Sequence, residues 1–73
     1  MRQLNPKKLL LSKWTAVKPL NKEKHFLIRS AVKPEGEGLP VEQFELEAVH
    51  SGRAQIIHWR ELQDESQWLQ GWK

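Results

Sequence analysis

The groups that could carry acid–base, metal or nucleophilic chemistry are His25, His50 and His58, nine carboxylates and a few serines. Their spacing matches no constellation that does such work. Ser51-Gly52 lacks the preceding Gly-x of a nucleophile elbow. No Gly-x-Gly-x-x-Gly, P-loop or His-Glu-x-x-His is present. His50 and His58 fall on opposite faces of two adjoining extended segments, and His25 stands on a third, so no shared metal site follows from the pattern. The absence of cysteine removes thiolate nucleophiles, thiolate zinc sites and disulfide staples together. The sequence thus predicts a protein that is not an enzyme, with no metal and no cofactor.

Recognition chemistry is better represented. Four of the aromatic residues are Trp (Trp14, Trp59, Trp68, Trp72), two are Phe and none is Tyr. An exposed indole stacks on nucleic-acid bases or anchors a protein interface. Trp59 and Trp68 are assigned to the core, because a chain this short needs their bulk. Trp14 and Trp72 remain, with Lys13, Lys18 and Arg29 as nearby cations able to meet phosphate. Lys13, Trp14, Lys18, Arg29 and Trp72 are therefore the candidate binding surface. A protein partner, held by Trp and a free sheet edge, is favoured over nucleic acid, because a net charge of +3 is weak for a phosphate binder. The alternative is a nucleic-acid-binding module using the basic 1–33 half.

The charge is unevenly spread. Residues 1–33 carry nine bases and one acid, whereas residues 34–73 carry three bases and eight acids. Such a split marks either a nucleic-acid arm or basic and acidic strands that neutralise each other across a sheet. The second reading is preferred, since no run of five like charges occurs.

These groups must be positioned by a single small domain, because 73 residues leave no room for a second. Asn5-Pro6 is a helix-start signal and opens a short turn. Residues 12–18 and 25–33 have the β-branched and aromatic content of strands, with a turn at Pro19–Lys22 between them. Pro34–Pro40 is a Gly/Pro-rich loop. Residues 41–50 and 54–60 form a hairpin around a two-residue Ser51-Gly52 turn. That register sets Phe44 opposite Trp59, Leu46 opposite Ile57, Ala48 opposite Gln55, and Glu45 opposite His58. Asp64, with Gln67 three residues on and Gly71 as a stop, predicts a short helix over 65–70.

Together these elements predict a mainly β fold, α+β at the margin. Four antiparallel strands form a curved meander or a small SH3-like barrel, with short helical turns at both ends. The predicted core is Trp14, Phe26, Ile28, Phe44, Leu46, Ile57, Trp59, Leu62, Trp68 and Leu69. Leu9-Leu10-Leu11 is too short for a signal peptide's apolar region, and no stretch approaches a membrane span. The expectation is a cytoplasmic monomer without membrane contact.

Three stretches also resemble a known family when taken together. They are Asn5-Pro6-Lys7-Lys8-Leu9-Leu10-Leu11-Ser12-Lys13-Trp14-Thr15-Ala16-Val17, then Lys24-His25-Phe26-Leu27, and then Trp59-Arg60-Glu61-Leu62 with Trp68-Leu69-Gln70-Gly71-Trp72. The order Lys-Trp-Thr, Trp-Arg-x-Leu, Trp-x-x-Gly-Trp is similar to that of small tryptophan-rich bacterial proteins, found in proteobacteria and cyanobacteria, whose function is not established. The likeness covers nearly the whole chain. It implies a bacterial cytoplasmic domain, and it brings no catalytic residue and no ligand with it.

Overall fold

A computed structural model describes residues 3–73; Arg2, one cation of the basic half, lies outside the described residues. Chain order is a 3-10 turn (Pro6–Lys8), β1 (Lys13–Leu20), β2 (Glu23–Ala31), β3 (Gln43–Ala48), β4 (Ala54–His58), a second 3-10 turn (Trp59–Gln63) and β5 (Trp68–Gln70). The strands form one antiparallel sheet in the order β4-β3-β2-β1-β5. The mainly β class is as expected, with one strand more than the sequence pattern indicated. β4 and β5 are not paired with each other, so the hydrogen-bonded ladder stays open and does not close into a barrel.

Local chemistry explains most of the connections. The Asn5 side chain accepts from the Lys7 N–H at 3.0 Å, and Pro6 has no N–H to leave unpaired, so the first turn starts where expected. β1 runs on through Pro19 to Leu20. The turn is then only Asn21-Lys22, both with positive φ (55° and 64°), the conformation of a tight two-residue hairpin. The β1–β2 register is irregular between Thr15 and Leu20, where Pro19 has no N–H to give. In β2 the register shifts between Ile28 and Ser30, leaving Arg29 as the extra residue.

The β3–β4 hairpin differs from its expected register by two residues. Phe44 faces Ile57, Glu45 faces Ile56 and Leu46 faces Gln55. The turn is longer than Ser51-Gly52. The Gly52 N–H donates to the Ala48 carbonyl at 2.7 Å, and the Ala48 N–H donates to the Arg53 carbonyl at 2.8 Å. Residues 49–52 thus form the loop, and Gly52 supplies the positive φ of 76° that its last position requires. A shift of two keeps every side chain on its face, so the core set survives while the partners change.

The expected helix over 65–70 is a correction of a different kind. The capping box falls earlier: the His58 N–H donates to the Glu61 carboxylate at 2.8 Å, and the Arg60 N–H donates to His58 Nδ1 at 3.2 Å. This box starts the 3-10 turn at Trp59. Asp64 instead closes a tight turn, its carbonyl accepting from the Gln67 and Trp68 N–H groups at 3.0 Å each. The chain then pairs with the free side of β1, setting Trp14 opposite Gln70, Thr15 opposite Leu69 and Ala16 opposite Trp68.

The core is Leu9, Trp14, Phe26, Ile28, Phe44, Leu46, Ala48, Ile57 and Leu62 on one face of the sheet. Trp59 and Trp68 are half-buried and pack against it, Trp68 meeting Phe26 edge-on with centroids 5.1 Å apart. Leu69 is a correction: pairing with Thr15 turns it to the other face, where it is exposed.

Candidate binding surface

The second face of the sheet gathers three of the five candidate residues. In β1 and β2 the alternation that buries Trp14, Phe26 and Ile28 directs Lys13, Thr15, His25 and Leu27 the opposite way. The last residues fold back across this face. The Gly71 N–H donates to the Lys13 carbonyl at 2.8 Å, and the Lys73 N–H donates to the Thr15 hydroxyl at 2.9 Å. Thr15 in turn donates to the Gly71 carbonyl at 2.7 Å, which accounts for a buried hydroxyl with both roles filled. Gly71 itself has φ of 81°, the left-handed conformation that makes the reversal.

Trp72 is the centre of the arrangement. Its ring lies 5.8 Å from His25, and Lys13 Nζ stands 4.8 Å from its centroid, a cation over an indole. The Trp72 indole N–H donates to the Phe26 carbonyl at 3.0 Å. The donor is therefore already used, and a ligand meets this residue through its apolar ring, which is 43% exposed. His25 Nε2 lies 3.2 Å from the Lys73 carbonyl, pinning the tail a further time.

Arg29, the extra residue of β2, points over β3. Its guanidinium lies 2.7 Å from Glu47 and 3.8 Å from Glu45. Basic β2 and acidic β3 therefore neutralise each other across the sheet. Alternation alone puts Glu45 and Glu47 on the face opposite Phe44, Leu46 and Ala48, and the bulge at Arg29 brings the cation to them.

The other two candidates lie elsewhere. Trp14, expected both in the core and on the candidate surface, belongs to the core: it is only 1% exposed, with its indole N–H donated to the Ser12 hydroxyl at 2.8 Å, which corrects its place on the surface. Trp14 projects from β1 into the core cluster with Leu9, Phe26, Ile28 and Leu62, and it is the largest fully buried side chain. Lys18 lines a separate cleft of about 230 Å³ with Leu20, Glu23, Arg53 and Trp68.

Beside that cleft is a buried acid that sequence reasoning missed. Glu23 opens β2 and accepts from the Ser51 hydroxyl at 2.5 Å and from the Arg53 guanidinium, with Arg53 Nε at 3.1 Å. The hydrogen bonds from Arg53 and then from Ser51 hold its carboxyl below the ordinary glutamate value, against the opposing effect of burial. The same contact raises the pKa of Arg53. This pair, with the Ser51 hydroxyl, ties the start of β2 to the β3–β4 hairpin loop and the residue before β4.

Among the described residues, no group of three or more His, Asp or Glu is placed to hold a metal ion. No helix there is long and apolar enough to cross a membrane. No curated protein and no solved structure matches the chain. One family does match, over residues 12–73, which takes in Trp14, the hairpin and the returning strand that carries Trp72 onto the open face. With that match spanning all four tryptophans, the chain belongs to the family described as tryptophan-rich protein (DUF2389).

Proposed function

We propose that this chain is a non-catalytic binding module of the bacterial cytoplasm whose open sheet face takes a protein partner. The observation that carries the reading is the Arg29 contact with Glu47 and Glu45. It withdraws a cation of the face from phosphate, while Trp72 and Leu69 stay exposed on the same face. A nearly neutral patch with an exposed indole is the composition of a protein interface, whose centre is poor in charge and rich in Trp. The cysteine-free composition supports the cytoplasmic setting.

An NMR shift titration with single- and double-stranded oligonucleotides at low and high salt tests this reading. Lys13, Arg29 and Trp72 resonances are expected to stay in place at low salt. Shifts that vanish as salt rises would instead assign the surface to nucleic acid. In a parallel experiment, a protein retained from source-cell lysate by the immobilised wild type is expected to be lost with Trp72→Ala.

A further inference from the structure

We propose that the cleft beside Lys18 binds a small monoanion, a carboxylate carried on a single aromatic ring. The cleft exists because the sheet does not close. β4 and β5 are its two unpaired edges, and Gln55 of β4 and Gln67, just before β5, line the cleft from either side. Its floor is apolar: Ala16, Phe26 and Trp68 belong to the core or pack against it. The Phe26 and Trp68 ring planes stand at 87° to each other. Such a corner offers a third ring one aromatic face and one aromatic edge, both favoured contacts. At about 230 Å³ the cleft is smaller than the roughly 300–1,000 Å³ of drug-sized sites, so its occupant is a one-ring molecule.

The polar groups around this floor are available. Gln55 pairs with Leu46 across the β3–β4 ladder, so it lies on the core side of β4, where burial calls for an apolar residue. Among the described residues its side-chain amide has no hydrogen-bond partner, and neither do the Gln67 amide and the Lys18 ammonium. Each amide carries two N–H donors that a carboxylate oxygen can accept from.

Charge selects an anion. The ionised residues lining the cleft are Lys18, Glu23 and Arg53. Glu23 is engaged by Arg53 and Ser51, so that pair is neutral and Lys18 leaves the cleft with one positive charge. An adjoining cleft shares Gln55, Gln67 and Trp68, and its acids, Glu61 and Asp64, accept from the His58 and Ser66 N–H groups. A carboxylate that meets Lys18 and the two amides, with its ring in the aromatic corner, satisfies every one of these groups at once. The site is on the core side of the sheet, away from Trp72, and is independent of the protein-binding face.

One ring and one charge give weak binding, with a Kd of about 1–10 mM. An NMR titration of the full chain with sodium phenylacetate to about 30 mM, at constant ionic strength, should give saturable shifts at the Trp68 indole and the Gln55 and Gln67 side-chain amides. The Trp72 indole should stay in place, and Trp72→Ala should bind phenylacetate as the wild type does. Phenethylammonium, with the same ring and the opposite charge, and acetate, with the charge and no ring, should each bind at least about fivefold more weakly. Lys18 is exposed, so its replacement leaves the fold intact, as circular dichroism verifies. Lys18→Met should lower the affinity for phenylacetate about fivefold, while Lys18→Arg retains it. Absence of a saturable shift, equal affinity for either control compound, or undiminished affinity in folded Lys18→Met overturns the proposal.

Discussion

Glu23 and Arg53, thirty residues apart in the chain, meet in a charge-assisted contact that fastens the start of β2 to the residue preceding β4. Glu23 is buried and Arg53 is largely exposed, so the anion depends on a partner that solvent and salt partly screen.

That contact makes stability depend on pH in a definite direction. The folded carboxyl holds its proton less tightly than the unfolded one, so unfolding takes up a proton as acid is added. The contribution of Glu23 is complete above about pH 5 and is lost as pH falls through its depressed folded value. Thermal melts from neutral pH to about pH 3 should show a decline that is shallower in Glu23→Gln. Ser51→Ala should move the carboxyl back toward the ordinary value in an NMR titration.

Trp14 is the most consequential tryptophan for stability. Trp14→Ala should cost about 3–5 kcal/mol, enough to unfold so small a domain in a denaturant melt. Trp59, half-buried beside His58 and Arg60, should cost less, about 1–3 kcal/mol on the same substitution. The reverse order would show that the core lies elsewhere.

Trp72 should separate binding from folding. Trp72→Ala removes one hydrogen bond to Phe26 and one exposed cation–π contact, so it should lower stability by only about 1–2 kcal/mol. The fold persists, and circular dichroism and melting temperature read both points. Loss of folding would make the residue structural.

The β1–β2 turn leaves room for stabilisation. Lys22 holds a φ of 64°, which costs a residue with a Cβ more than it costs glycine. Lys22→Gly should raise stability by about 0.5 kcal/mol, part of the relief being offset by the freedom glycine has when unfolded. Lys22→Val should lower it. Urea midpoints of the three proteins measure the order.

The β3–β4 hairpin illustrates how far the sequence can be read. Alternation specified which of Phe44, Leu46 and Ile57 face the core, because that parity is a property of each strand alone. It could not specify the partners, because a shift of two residues preserves parity, and the Val49-His50-Ser51-Gly52 loop set the register. The segment after Asp64 misled for another reason. Asp64 and Gln67 have capping-box spacing, but the unused side of β1 captured Trp68-Leu69-Gln70 as a strand. The candidate surface follows the same division. Lys13, Arg29 and Trp72 were legible as residue types, whereas their meeting on one face depends on a pairing between the two ends of the chain. Trp14 fitted both the core and the surface as a residue type, and its parity with Phe26 across the β1–β2 ladder sends it to the core.

The return of β5 to β1 also orders events in time. The Thr15 hydroxyl reaches a carbonyl 56 residues away, whereas β1–β2 and β3–β4 close over short turns. Local hairpins form before contacts of such long sequence separation. The four-strand meander should therefore assemble with the outer side of β1 still bare, and the final strand should dock last. Docking of that strand then marks completion of folding, and the surface around Trp72 comes into existence only at that step.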